Sequence, residues 1–350
     1  MCQIEHLTAR SIALYRREVT GSSVAYELSN AVEPALANAP VLAAEPAEGV
    51  APSRSKLAPP MTRIADLHAD FIGIMQNVLT KLGVPYDPNL DETQLSLIFW
   101  NIRLRLVGSV PRKVNWAKEF TCPPQMRAGL DALIEKFEKG EDVNPHQSNA
   151  WVLPGNRAFN DRLFDNWRIK HFHLGLNGQR GDDCLFAVVT ASDVYAVAVY
   201  PHGRYGENEM VERLKANWPE LVRGSKAALK PTGAPLDNAQ TIAARKRATP
   251  LTELADGSTY GPLGGGTTSS GVGGRVVDVM DRAFDRLNEW QAWLDSNAAA
   301  EIQKAQVKGI VFGNPPTLKL IVDSKNDFYA WDEAADWGIK LGQLLDLPID

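Results

Sequence analysis

The chain has 350 residues, of which 44% are hydrophobic and 23% are charged. This length and composition are sufficient for a buried core, and they exclude the collagen-like, coiled-coil and wholly disordered classes. The 37 Lys and Arg residues against 42 Asp and Glu residues give a net charge of −5, which disfavours a protein that coats nucleic acid with its whole surface.

The cysteines and the N-terminal sequence indicate a cellular location. Cys2, Cys122 and Cys184 lie far apart and form no CxxC pair, so a zinc knuckle built on thiolates is excluded and a disulfide framework is not expected. The first residues lack the pattern of a secretory signal, and no apolar run approaches the roughly 18 residues that span a membrane. We therefore expect a cytoplasmic protein without a membrane partner.

The first 60 residues are predicted to form a disordered tail and a linker. Residues 31–60 are rich in Ala and Pro and contain no aromatic side chain. Repeated proline removes the hydrogen bonds of both helices and sheets, which favours a semi-extended spacer.

Residues 61–222 are predicted to contain a helical segment followed by an α+β module. Apolar residues recur at helical spacing in three stretches: residues 64–82, 91–106 and 124–140. Three strands then follow, over residues 167–174, 184–190 and 194–200. The second and third are apolar at nearly every position and are joined by a hairpin, so we expect a sheet that is covered on both faces. A helix over residues 208–222 completes the module.

Residues 223–274 are predicted to form a long loop, because they are rich in Ala, Gly, Thr and Pro. The glycine-rich run 260–274 has two interpretations, a flexible connector or a loop whose amides hold an anion. The connector is favoured because no Lys follows as in a phosphate-binding loop. The basic run Arg-Lys-Arg at 245–247 is interpreted as a solvated basic spot, with a nucleic-acid contact as the alternative.

Residues 275–350 are predicted to form a C-terminal helix–hairpin–helix module. The expected elements are a long amphipathic helix from Arg275, strands over 307–312 and 317–322, and a final helix from Phe328. Residues 322–350 hold seven acids and two bases. This acidic segment suits an ordinary solvated surface, a surface that binds a basic partner, or one that masks the basic central module of the same chain. The fold class predicted for the whole chain is α+β.

Histidines concentrate in the predicted sheet. His171 and His173 are two residues apart on a strand, so they point to the same face, and His202 follows the third strand. Four basic residues surround them against Asp165 alone, a local charge of +3 over residues 162–180; they are Arg162, Arg168, Lys170 and Arg180.

This mixture of residues suits cleavage of RNA without a metal. One group must take the proton of the 2′-hydroxyl, a second must protonate the leaving oxygen, and cations must stabilise the negative phosphorane. Histidine serves either proton-transfer role near neutral pH, arginine suits phosphate, and an aromatic ring can stack on a base. His171, His173 and His202 are the candidate catalytic residues.

The run W-R-x-x-H-x-H-L, the two apolar strands and the following H-G resemble the core of RelE/YafQ-type bacterial toxins, over residues 158–222. The resemblance implies a ribosome-dependent mRNA endonuclease, with the ribosome and a neutralising protein as partners and no cofactor. It assigns proton transfer to the histidines and phosphate binding to Arg168 and Lys170. Tyr205, which follows His202 closely, would stack on a base.

Two alternatives use the same residues. His171, His173 and His202 could form a three-nitrogen face for Zn²⁺ or Fe²⁺, with Asp182 or Asp183 as a fourth ligand. In the other alternative the chain is a non-catalytic interaction protein, and the sheet is only its scaffold.

Overall fold

The computed structural model describes residues 64–148, 161–175, 181–228, 234, 236–245, 251–269, 271–323 and 325–345. The predicted tail and linker over residues 1–60 lie outside these ranges. The described residues contain eight helices and three small sheets, which confirms the α+β class. None of the described helices is both long and apolar enough to span a membrane.

The described residues divide into two compact units. The larger lies within 67–292 and 343–345, and the smaller lies within 64–66 and 293–342. All of the candidate histidines belong to the larger unit.

The three helices predicted at the start of the larger unit are confirmed. They are α1 (Leu67–Lys81), α2 (Glu92–Arg105) and α3 (Arg127–Lys139). Asp91 caps α2 by accepting a hydrogen bond from the Gln94 amide at 2.8 Å. Gly140 ends α3 in the left-handed conformation, with φ 72°.

The central sheet contains the predicted hairpin and one strand that was not predicted. Its strands, in the spatial order β1-β4-β3-β2, are β1 (Lys113–Trp116), β2 (Lys170–His173), β3 (Asp183–Val189) and β4 (Asp193–Pro201). β3 is antiparallel to both β2 and β4, whereas β1 lies parallel to β4 at the edge. β1 is only four residues long, and its pairing with a distant strand leaves no local pattern in the sequence.

Both faces of this sheet are covered, as the apolar strands predict. One face packs against α3, through Leu130, Leu133 and Phe137. The opposite face packs against α4 (Arg162–Trp167) and α5 (Glu209–Asn217). Since side chains alternate along a strand, the odd-numbered residues of β2 point toward α4 and the even-numbered Phe172 points toward α3.

The helix predicted over residues 208–222 is interrupted. Asn217 ends α5, and α6 (Pro219–Arg223) begins one residue after Trp218. Trp218 leaves the helical region at φ −143° and ψ 68°. The cause is Pro219, which disfavours a helical conformation in the residue before it and donates no backbone hydrogen bond.

The segment predicted as a loop over residues 223–274 contains short elements. They are β5 (Lys226–Ala227), α7 (Asn238–Arg245), β6 (Thr252–Glu253) and β7 (Thr259–Tyr260). The strands form a small sheet in the order β5-β7-β6. Each strand is only two residues long, which is too short for an alternating pattern to be read from the sequence.

The glycine-rich run packs against the C-terminal end of α4. The Gly264 amide donates to the Asn166 carbonyl at 3.2 Å, and the Gly266 amide donates to the Asp165 carbonyl at 2.8 Å. A Cβ at Gly264 would lie 2.0 Å from the Phe164 carbonyl oxygen, so only glycine fits there. Because these amides bond to helix carbonyls, the run is a packed connector, and the anion-binding interpretation is not favoured.

The C-terminal part differs from the predicted helix–hairpin–helix module. Helix α8 (Gly274–Val307) is followed by a meander of β8 (Lys319–Val322), β9 (Asp327–Asp332) and β10 (Trp337–Gln343), in the order β10-β9-β8. The predicted strand over 307–312 and the predicted final helix from Phe328 are therefore wrong.

The pattern of burial in β9 explains the error at the C-terminus. Phe328 and Ala330 are buried, and their neighbours Tyr329 and Trp331 are more accessible, which is the two-residue period of a strand. Asn326 at φ 63° and Asp336 at φ 49° sit in the turns on either side of β9. These residue types tolerate the left-handed region, and they break what reads in the sequence as one amphipathic segment.

Candidate functional site

The pairing of β2 with β3 directs two histidines to the α4 face of the sheet. His171 lies opposite Phe186, and His173 lies opposite Cys184. Phe186 and Cys184 belong to the core on that face. The prediction that His171 and His173 share a face is therefore confirmed.

His202 joins them from the end of β4. Its amide donates to the Asp182 carbonyl at 2.5 Å, which extends the pairing of β3 and β4 by one residue. The ring centroid of His202 lies 5.2 Å from that of His173 and 5.9 Å from that of His171. One ligand nitrogen from each of the three rings lies within 4.8 Å of the others.

After a turn in the chain, Tyr205 lies beside two of these histidines. Gly203 has φ 104°, a conformation that side chains rarely adopt, and it reverses the chain after His202. The Tyr205 ring centroid lies 5.2 Å from both the His171 and the His202 centroids. Burial raises the pKa of the Tyr205 hydroxyl above its ordinary value, so the side chain is neutral near pH 7.

The hydrogen bond of His173 defines its tautomer. Its Nδ1 atom lies 2.9 Å from the Gly181 carbonyl oxygen. A carbonyl can only accept, so Nδ1 carries the proton, and Nε2 of the neutral ring holds a lone pair. The residue is 6% exposed, and Nε2 has no hydrogen-bond partner within the described ranges.

The other two histidines are more accessible. His202 is exposed, and the His171 side chain retains 10% of its accessibility. The Nδ1 atom of His171 lies 3.9 Å from Oδ2 of Asp161. Asp161 is itself fixed, because its Oδ1 accepts hydrogen bonds from the Leu163 and Phe164 amides at 3.1 Å and caps α4.

His171 and His202 open into a cavity of about 340 Å³. The described residues that line it are Arg105, Gln147, Ser148, Asp161, Arg162, Leu163, Phe164, Lys170, His171, His202, Tyr205, Ile242 and Arg245. Four of them are cationic and one is a carboxylate. His173 is not among them and lies behind the other two rings.

Arg245 is a deeply buried cation of this cavity. It is 3% exposed, and its guanidinium lies 3.8 Å from the centroid of the Trp167 ring. Its Nη1 atom donates to the Tyr205 carbonyl, while Nε and Nη2 are buried without a hydrogen-bond partner within the described residues. Burial lowers its pKa to about 10, so it remains charged at neutral pH.

Arg105, at the end of α2, is a second cation of the cavity, and the residue as a whole is partly exposed. Its Nε and Nη2 atoms are also buried without a hydrogen-bond partner in the described part of the chain. Burial lowers the pKa of Arg105, and the carboxylates of Asp161 and Asp165 oppose that shift.

The two basic residues expected to bind phosphate lie in different places. Lys170 lines the cavity but is 3% exposed, and its Nζ donates to the Leu104 carbonyl at 2.9 Å and the Arg105 carbonyl at 2.7 Å. Its ammonium group therefore satisfies the C-terminal end of α2 while adding positive charge to the cavity. Arg168 ends α4 at φ 58° and is not one of the lining residues.

The predicted metal alternative has partial support in the geometry. Within the described residues, the group whose ligand atoms come together comprises His171, His173 and His202, and neither Asp182 nor Asp183 belongs to it. Three imidazoles with one ring held through an Nδ1–H···O=C bond suit Zn²⁺ or Fe²⁺ with an open coordination position. The surrounding positive charge opposes binding of a dication.

Sequence patterns did not identify Arg105, Asp161 or Arg245 as site residues. Arg105 reads as an ordinary basic residue at a helix end, and Arg245 reads as the first member of a solvated basic run. The local excess of bases over acids in residues 162–180 indicated a basic site, but these three residues lie outside that range. Their convergence depends on contacts between segments that are far apart in the chain.

No protein-family model, curated protein or solved structure matches this chain.

Proposed function

We propose that this chain is a toxin or defence-type endoribonuclease, which cleaves RNA in the cytoplasm by histidine-mediated acid–base catalysis without a metal. The observation that carries the proposal is the cavity in which His171 and His202 meet four cationic side chains. The resemblance of residues 158–222 to RelE/YafQ-type toxins supports the same activity.

In this proposal His202 and His171 are the two proton-transfer groups. His202 is the more accessible and acts on the 2′-hydroxyl as general base, and His171 protonates the leaving 5′-oxygen. Oδ2 of Asp161 lies 3.9 Å from Nδ1 of His171 and is placed to orient that ring. The two roles therefore fall on rings in different surroundings, one exposed and the other beside a carboxylate.

The remaining residues would position the reacting groups and stabilise the charge of the transition state. His173 holds the stacked His202 ring from behind, at 23° between the ring planes. Tyr205 offers an aromatic surface beside both proton-transfer rings, which suits a base displaced from its stack. The cations around the cavity would stabilise the phosphorane, whose extra negative charge develops in the transition state.

A bacterial growth assay tests the proposal directly. We expect induction of the wild type to arrest growth and degrade mRNA, whereas His202→Ala, expressed to the same level, leaves both intact. His68→Ala is the matched control, because His68 lies outside the site and contacts Glu92 at 2.9 Å. We expect the control to behave as the wild type does.

One result would contradict the ribonuclease, and a second would contradict the role of His202. If the wild type leaves growth and transcripts intact with and without a stress that releases a neutralising partner, the non-catalytic scaffold is favoured. Degradation by His202→Ala at the wild-type rate would remove His202 from catalysis.

A metal-dependent enzyme is the second candidate, and the buried Nε2 of His173 favours it. That nitrogen has no hydrogen-bond partner within the described residues, and a lone pair in this situation is suited to a metal ion. Metal analysis of the purified chain distinguishes the two candidates. Stoichiometric zinc or iron that is lost in His173→Ala would support the second candidate, and metal-free protein that cleaves RNA would eliminate it.

A further inference from the structure

Beyond the histidines, the cavity contains two arginines whose buried N–H groups lack acceptors. Arg105 and Arg245 each present Nε and Nη2 without a hydrogen-bond partner in the described residues. A buried, unsatisfied donor is unfavourable, and more so when it is charged. Four such donors at one cavity indicate a site that is suited to receive an acceptor.

The surroundings specify the charge of that acceptor. The described lining carries Arg105, Arg162, Lys170 and Arg245 against Asp161 as its one carboxylate. Asp165 lies nearby, but burial raises its pKa to about 7, which weakens its negative charge near neutral pH. The cavity is therefore suited to an anion.

The geometry of the Arg245 guanidinium narrows the chemical class of the anion further. Arg245 is fixed by its stacking on Trp167 and by the hydrogen bond of its Nη1 to the Tyr205 carbonyl. Its remaining Nε and Nη2 form the edge of the guanidinium that binds two oxygens of one group, as a phosphate presents them. A fixed edge of this kind loses little side-chain entropy when it binds.

We propose that Arg105 and Arg245 form a phosphate-binding subsite beside the three histidines. These two arginines, and not the expected Arg168 and Lys170, are then the principal phosphate contacts. The subsite rests on the proposed function only for the identity of the molecule that carries the phosphate, which would be the RNA backbone. Binding itself requires no cleavage and is measured separately.

The test is titration calorimetry of the purified full chain with inorganic phosphate and with uridine 3′-monophosphate, in a chloride buffer. We expect both ligands to bind, and Arg245→Gln or Arg105→Gln to weaken each of them about tenfold or more, since each removes charge-assisted hydrogen bonds. Arg223→Gln, at an exposed position on α6, is the matched control and should bind as the wild type does.

A second pair of measurements keeps the result interpretable. Far-ultraviolet circular dichroism verifies the fold of each variant, and Arg245→Lys retains the charge without the two-donor edge. We expect Arg245→Lys to bind phosphate more weakly than the wild type and more tightly than Arg245→Gln. If a glutamine variant fails to fold, Arg245→Lys and the remaining glutamine variant decide the question.

The outcomes separate the subsite from the ribonuclease. Phosphate binding that both arginine variants weaken, without any RNA cleavage, would support the subsite and contradict the proposed function. RNA cleavage together with phosphate binding that is unchanged in folded Arg105→Gln and Arg245→Gln would overturn the subsite alone. Failure of the wild type to bind phosphate, or equal binding of acetate, would also overturn it.

Discussion

At the scale of single residues, the cavity is defined by charges that the fold has partly removed from water. Arg245 is 3% exposed and Asp165 is 3% exposed, and such groups are rarely buried without a specific partner. Their pKa values shift in the directions that favour the neutral forms, with desolvation as the principal cause in both. The free-energy cost of burying these charges is offset when a ligand binds to the arginine or a proton neutralises the aspartate.

Asp165 makes the stability of the larger unit depend on pH. Burial raises its pKa from 3.8 to about 7, so the folded chain binds more protons than the unfolded chain between these values. The contribution of Asp165 is complete below about pH 4 and is lost as the pH rises through about 7. We expect the free energy of unfolding to fall over this range, by up to about 1.4 kcal/mol per pH unit.

Urea unfolding at several pH values, followed by tryptophan fluorescence, checks this prediction. In Asp165→Asn the decline between pH 4 and 7 should be absent or much reduced. Asp131→Asn is the control, because Asp131 is an exposed partner of Arg127 on α3. An Asp165→Asn protein with the same pH slope as the wild type would show that the carboxylate is ionised throughout.

Only part of the site could be predicted residue by residue. The common face of His171 and His173 follows from their spacing of two on a strand. The position of His202 follows from the hairpin, which returns β4 to the start of β3. The two arginines could not be predicted, because Arg105 and Arg245 lie on separate helices and their approach to the cavity leaves no local pattern in the sequence.

At the scale of elements, α4 organises the site and depends on the glycine-rich run. Its first turn is capped by Asp161, which also faces His171, and its last carbonyls accept hydrogen bonds from the amides of Gly264 and Gly266. The connector therefore supports the helix that lines the cavity. The same run, read as sequence alone, suggests flexibility.

Alanine substitutions of two glycines test this role. A Cβ at Gly264 would lie 2.0 Å from the Phe164 carbonyl and 2.5 Å from the Asp165 carbonyl, so we expect Gly264→Ala to destabilise the fold by about 2 kcal/mol or more. A Cβ at Gly73, an exposed position on α1, would meet no neighbouring atom within 4 Å. We expect Gly73→Ala to stabilise the fold by about 0.5–1 kcal/mol.

The pair is measured by urea unfolding under identical conditions. If Gly264→Ala leaves the free energy of unfolding unchanged, the glycine-rich run can shift to accommodate the added methyl group. α4 would then not depend on close packing at that position.

Elements with strong local signals were predicted, and those formed by distant pairing were not. The helices α1, α2 and α3 carry apolar residues at helical spacing in the sequence, and Asp91 before α2 and Gly140 after α3 are recognisable caps. The four-residue edge strand β1 is defined by its pairing with its parallel partner β4. β9 and β10 mix aromatic and small residues at spacings compatible with a helix or a strand, and their pairing determines the outcome.

At the scale of the whole molecule, charge is distributed unevenly. The chain carries −5, and residues 322–350 hold seven acids and two bases. The cavity in the larger unit has four cationic side chains against one carboxylate among its described lining. This distribution disfavours extensive non-specific binding to nucleic acid, and the positive charge around the cavity is the part of it that the proposed phosphate subsite would use.

The chemistry of the RNA ends tests the central claim most directly. Purified full-length chain is incubated with an RNA and translating bacterial ribosomes, at a Mg²⁺ level kept for the ribosomes and with a chelator selective for transition metals. We predict fragments with 5′-hydroxyl ends and 2′,3′-cyclic or 3′-phosphate ends, and no cleavage where a 2′-deoxynucleotide replaces the cleaved position. Fragments with 5′-phosphate ends whose formation stops with the chelator, or no cleavage by the wild type, would contradict the proposed mechanism.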